Sequence, residues 1–241
     1  MSTTALTTEP LSSTPTLYFA FGSNLWLHQM SLRCPSSQYL GLARLSSYQW
    51  IINERGYANV VATSSNSTST LGNTSPPDTT SSHDYSSEVW GMVYSLSAED
   101  ERALDKNEGV PHAYTKHLLE CAFWPIAAPV APPRTPEDVF PPRIDTSTTP
   151  PAGEREMLVY VDLKRVTPST PREEYVYRMN RGVEDASKCG VPKGYVEGVV
   201  RGYIPVEEDE GEGKGGQTAS GGVEEFAKGQ ARGFRDESGI F

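Results

Sequence analysis

The chain has 241 residues, enough for one large domain or two small ones, and carries 21 Lys+Arg against 31 Asp+Glu for a net charge of −10. That balance argues against binding a nucleic-acid backbone, which needs clustered cations, and much of the acidic excess sits in a late run, Glu207 to Glu212. Three widely spaced cysteines (Cys34, Cys121, Cys189) suit neither a disulfide scaffold nor a zinc cluster and read as reduced thiols.

Residues 1–16 are rich in Ser, Thr and Pro and read as a disordered leader. They have neither the basic flank nor the apolar run of a secretion signal, and no stretch is long enough to span a bilayer. A cytoplasmic protein without membrane partners is the default expectation.

The ordered part begins at Leu17. Tyr18-Phe19-Ala20-Phe21 is a short aromatic run that predicts a buried strand, ended by Gly22-Ser23-Asn24-Leu25. Apolar residues from Leu25 to Leu32 then predict a helix. A strand, a glycine turn and a helix start make a cradle of backbone donors suited to a carboxylate or an oxyanion. By itself the pattern favours an ordinary strand-to-helix turn, and it gains weight from a second motif near residue 108.

Strand-like segments follow at Tyr39–Leu45, Tyr48–Ile52 and Gly56–Ala62. Residues 63–87 are mostly Ser and Thr and predict a low-complexity surface insert. Its two glycosylation-type matches, at Asn66 and Asn73, read as accidental without a secretion signal. Val89–Tyr94 predicts a strand and Ser97 caps a helix over residues 97–108, with Ala98, Arg102 and Asp105 on one side and Leu104 turned elsewhere. Gly109 ends that helix, and Tyr114–Phe123 predicts a further strand. Dense prolines from about 124 to 153 predict a second insert that no sheet or helix interior would accept.

Met157–Asp162 predicts a strand, and a helix is expected from near Arg172, carrying Tyr175, Met179, Gly182 and Val183 until Cys189-Gly190-Val191-Pro192 breaks it. Lys193–Ile204 predicts a last helix. From 206 to 241 the chain reads as an acidic, Gly-rich solvated tail, with at most a short helical turn over Val223–Ala231.

Leu104-Asp105-Lys106-Asn107-Glu108-Gly109-Val110 places a carboxylate where a helix ends. Turned into a pocket and desolvated, Glu108 would hold its proton more readily, as a group that must both take and give one requires. Turned outward it is an ordinary solvated glutamate. The four histidines have no spacing that argues for catalysis.

Taken in order, Tyr18 to Leu25, Val89-Trp90-Gly91 and Leu104-Asp105-x-x-Glu108-Gly109-Val110 resemble the γ-glutamylcyclotransferase family, and Ser169 to Pro192 is similar to its later tyrosine helix followed by Gly-x-Pro. The resemblance covers about residues 17–62, 88–123 and 155–205, and implies one domain over 17–205 with two inserts. It implies an α+β fold, a small mixed β-barrel surrounded by helices. It also implies a reaction without metal or organic cofactor, in which a γ-glutamyl α-amine attacks its own side-chain carbonyl and releases 5-oxoproline. Glu108 would be the general acid/base, and the backbone of Gly22, Ser23, Asn24 and Leu25 the anion cradle. Tyr18, Phe19, Ala20, Phe21 and Tyr175 complete the implied substrate site. The family's usual tyrosine before Gly-Ser-Asn is Phe21 here, so one hydroxyl contact is missing.

Inserts of this kind resemble those of filamentous-fungal proteins, whose family members act on glutathione adducts during synthesis of sulfur-bridged diketopiperazines. The implied partner is a small γ-glutamyl compound, with a homodimer left open. Two other readings remain: a non-catalytic module that binds a γ-glutamyl ligand, and a γ-glutamylamine cyclotransferase.

Overall fold

The computed structural model describes residues 14–63, 83–207 and 219–232. Most of the leader, the centre of the first insert with Asn66 and Asn73, and residues 208–218 lie outside the described residues.

Strand β1 (Thr16–Ala20) runs into a tight turn, Ser23–Leu25, and helix α1 (Leu27–Arg33). Strands β2 (Gln38–Ser46), β3 (Tyr48–Ile52), β4 (Ala58–Ala62) and β5 (Glu88–Leu96) precede helix α2 (Ala98–Asn107). Strands β6 (Thr115–Val130) and β7 (Gly153–Val161) are followed by helices α3 (Glu173–Cys189), α4 (Lys193–Gly198) and α5 (Ala219–Arg232).

Five strands close a barrel in the order β1-β5-β2-β6-β7, and β3-β4 form a separate hairpin. All barrel pairs are antiparallel except β1–β7, which closes the ring in parallel at Tyr18 opposite Leu158. The fold is therefore the expected α+β mixed barrel with helices outside it. Its core is aromatic: Tyr18 and Tyr94 are cross-strand neighbours on β1 and β5, with ring centroids 6.3 Å apart.

The second insert begins later than its prolines suggest. Strand β6 runs through Trp124, Pro125 and Pro129 to Val130. Pro125 lies opposite Gly41, where β2 shifts register at a bulge, and β7 ends opposite Phe123. Beyond Phe123 the strand has β2 alone as neighbour, so prolines there cost few ladder bonds. Residues 131–152 carry no helix or strand.

Helix α2 begins as expected, with the Ser97 hydroxyl accepting from the Asp100 N–H. Its buried face is Asp100 and Leu104, four apart, and not the Ala98–Asp105 side. The final helix is shorter than Lys193–Ile204: α4 stops at Gly198, and a tight turn covers Val200–Gly202. The tail is not wholly solvated. Helix α5 is a full 14-residue element, longer than a turn over Val223–Ala231, with Ala227 and Ala231 buried against the body.

Candidate active site

At the end of β1 the chain must turn sharply beside α3 and β4. Gly22 has φ −109°, which other residues also adopt, so clearance and not backbone freedom explains it. A Cβ there would lie 2.8 Å from the Tyr175 hydroxyl and 3.3 Å from the Ala58 Cβ. Tyr175, in the first turn of α3, uses that hydroxyl to accept from the N–H groups of Ser23 and Ala58, both at 3.2 Å. The glycine turn, α3 and β4 thus meet at one phenolic oxygen.

Across the cleft, Glu108 is the residue after α2, and its N–H closes the helix on the Leu104 carbonyl at 2.8 Å. Gly109 next to it takes φ +63°, a left-handed value that releases the chain from the helix. The Glu108 carboxyl turns inward: Asn24 Nδ2 donates to its Oε1 at 3.1 Å and to the Tyr18 hydroxyl at 2.9 Å. Two motifs 84 residues apart in sequence are joined by that bond. Burial raises the pKa of Glu108 above the usual carboxylate value, against the opposing pull of Arg33, Asn24, Arg55 and Arg178. The negative end of the α2 dipole acts in the same direction as burial.

Together these groups enclose a cleft of about 470 Å³, its open mouth included. Tyr18, Phe21, Gly22, Ser23, Asn24 and Tyr175 from the expected set line it, together with Glu108. Phe19, Ala20 and Leu25 do not. Phe19 and Ala20 are fully buried in the barrel wall, and Leu25 backs onto Gly182 of α3. Strand alternation sends successive side chains to opposite faces, so a whole aromatic run cannot line one pocket.

The backbone cradle is also narrower than expected. Leu25 N–H closes the turn on the Gly22 carbonyl at 2.9 Å, and Ser23 N–H is given to Tyr175. Phe21 lines the cleft with its ring, and its carbonyl accepts from Trp50 Nε1 at 3.0 Å.

What local pattern missed is a cationic and phenolic wall. Arg33 and Arg178 line the cleft with Tyr57, Tyr114 and Tyr160. Arg178 holds Glu174 with both ends of its fork, at 2.8 and 3.1 Å, and donates to the Ser23 hydroxyl at 2.8 Å. Tyr160 donates to Asp105 of α2 at 2.7 Å. Arg55 packs its guanidinium over the rings of Tyr57 and Tyr114 at 5.4 and 5.3 Å. Arg178 was accessible from spacing, three residues after Tyr175 on the same face of α3. Arg33 and Arg55 had no such signal. None of the four histidines lines the cleft.

Fold and site place the chain in the class of closed mixed barrels with a pocket, in which a desolvated carboxyl is held over a glycine turn. No family model matches the chain. Over 95 residues, 39% of the chain, it is 35% identical to the γ-glutamylcyclotransferase of Bos taurus, and 34% identical to that of Homo sapiens over a segment of the same length. The chain spans about half the length of these curated relatives, 44% of each. In structure it is similar to an uncharacterized protein from Homo sapiens, with TM-score 0.52, 19% identity and coverage of 90% of this chain and 99% of that one. A solved γ-glutamyl cyclotransferase gives TM-score 0.51 at 20% identity, covering 89% and 98%. The chain shares its fold with that solved γ-glutamyl cyclotransferase, and a segment of it is similar in sequence to the curated ones.

Proposed function

We propose that this protein is a γ-glutamylcyclotransferase with Glu108 as its general acid/base. The observation that carries this reading is the Asn24–Glu108 bond, which brings the Gly-Ser-Asn turn and the Glu-Gly-Val motif into one cleft. In the proposed reaction the Glu108 carboxylate takes a proton from the substrate's α-ammonium. The freed amine attacks the γ-carbonyl and a five-membered ring closes; Glu108 returns the first proton to the leaving nitrogen as the amide bond breaks, then passes on the second proton shed by the ring nitrogen, so the product leaves as an ammonium. Ring closure is intramolecular, so the protein's task is to hold the chain folded with amine against carbonyl. Arg178 suits the substrate's α-carboxylate, and Tyr18 and Tyr175 flank the γ-glutamyl group. Protons and charge balance without a cofactor.

The finer reading is a bulky leaving group, such as a glutathione adduct made in sulfur-containing secondary metabolism. A groove of about 900 Å³, its open mouth included, adjoins the cleft across Tyr57, with Pro171, Arg172, Val223 and Phe226 in its lining. It offers apolar area, bordered by Arg172, Glu173 and Glu174, which suits an apolar S-substituent. No helix among the described residues is long and apolar enough to cross a membrane, and the proposed setting is the cytoplasm.

The test is 5-oxoproline release from γ-glutamylalanine, glutathione and an S-substituted glutathione. Wild type is expected to release it, and Glu108→Gln to lose at least about a hundredfold in rate while keeping its circular dichroism. A folded, fully active Gln variant refutes the role of Glu108. Stabilisation by glutathione with no release favours a binding module instead.

A further inference from the structure

We infer that Arg33, anchored on the end of helix α5, is the positioning residue that aims the Asn24 amide at Glu108. The inference rests on the reading of Glu108 as the acid/base.

Arg33 closes α1 and is 6% exposed. Its Nη1 donates to Asn24 Oδ1 at 3.1 Å, its Nε to the Ala231 carbonyl at 3.1 Å and its Nη2 to the Gln230 carbonyl at 2.8 Å. Gln29 Nε2 donates to the same Asn24 Oδ1 at 2.8 Å. Both acceptor sites of that oxygen are therefore filled by donors. A flipped Asn24 would set its NH₂ against two N–H groups, so the amide nitrogen must face Tyr18 and Glu108.

The carbonyls of Gln230 and Ala231 belong to the last described turn of α5, and both accept from Arg33. The guanidinium caps them and meets the negative end of the helix dipole. Helix α5 thereby fixes Arg33, Arg33 fixes Asn24, and Asn24 fixes the carboxyl. This gives the C-terminal segment a part in the site that its acidic, Gly-rich sequence does not announce.

Charge is transmitted along the same line. Around Glu108 stand Arg33 from α1, Arg55 from the β3–β4 turn and Arg178 from α3, the last paired with Glu174. The phenols of Tyr18, Tyr114, Tyr160 and Tyr175 also face it, with Asp105 behind Tyr160 and Cys34 beside Arg33. Of these groups Arg33 favours the carboxylate most strongly.

Three variants of the full chain test the inference: Arg33→Met, Arg33→Lys and Ala227→Glu, the last placing a charge at a fully buried contact of α5. The readouts are kcat and KM for 5-oxoproline release, and the Glu108 titration by NMR of ¹³C-labelled carboxyls, assigned against Glu108→Gln. Arg33→Met is expected to move the titration to higher pH and to lower kcat by on the order of tenfold to a hundredfold, with KM changed much less. Arg33→Lys keeps the charge, so its titration stays nearer wild type while kcat falls, because one ammonium cannot span three acceptors. Ala227→Glu lowers kcat with Arg33 and Glu108 both intact.

A folded Arg33→Met with wild-type titration and kcat overturns the inference, as does full activity in Arg33→Lys or in Ala227→Glu. If Arg33→Met does not fold, the other two variants still decide. If wild type releases no 5-oxoproline, the proposed reaction fails, and the titration shift alone decides the role of Arg33.

Discussion

Glu108 illustrates how one side chain couples stability to function. Because burial raises its pKa, the folded protein retains a proton that the unfolded chain has released over the pH window between the ordinary glutamate value and the raised one. Stability from this group is therefore lost as pH rises through that window. Glu108→Gln should remove the penalty, giving a higher Tm than wild type at neutral pH. The gap should close toward about pH 4, where both states are protonated. Thermal melts of the two proteins across pH check this, and a lower Tm for the Gln variant at neutral pH contradicts it. The same shift sets the rate profile. In the proposed reaction the carboxylate takes the ammonium proton, so kcat/KM should rise along an acid limb centred above the ordinary glutamate value.

At the scale of elements, the cleft depends on where the glycine turn, α3 and β4 meet. Removing one oxygen in Tyr175→Phe leaves the N–H groups of Ser23 and Ala58 without their acceptor. An unsatisfied buried donor costs about 1–3 kcal/mol, so the variant should unfold at lower urea and raise KM, because the cleft wall loosens. An unchanged urea midpoint would mean that water or backbone shifts replace the lost acceptor. Element identity was legible wherever side-chain periodicity matched a packed face, as in β5 and α3. It failed where tertiary context overrode composition. Prolines in β6 are tolerated at a bulge and an edge, and a Gly-rich helix α5 persists because Ala227 and Ala231 pack against the body.

For the molecule as a whole, the proposed reading makes substrate size a property of how α5 borders the groove beside the cleft. Phe226 stands 41% exposed on that groove. Phe226→Ser should raise KM several-fold for an S-aryl glutathione by removing apolar contact area, and leave γ-glutamylalanine nearly unaffected. Equal effects on both substrates, read from parallel saturation curves, would place the leaving group elsewhere.

By itself the sequence determined the local elements, the glycine turn, the Ser97 cap and the two motifs that carry the family resemblance. Each of these is written in residues a few positions apart, within reach of helical or strand periodicity. Tertiary structure alone decided which of Tyr18 to Leu25 face the cleft, the direction of the Asn24 amide and the arginine wall. It also decided the docking of α5. The bonds that set these run between residues up to 198 positions apart, as from Arg33 to Ala231. Only closing the barrel and laying α1, α3 and α5 around it brings such partners together, and no local pattern encodes that closure.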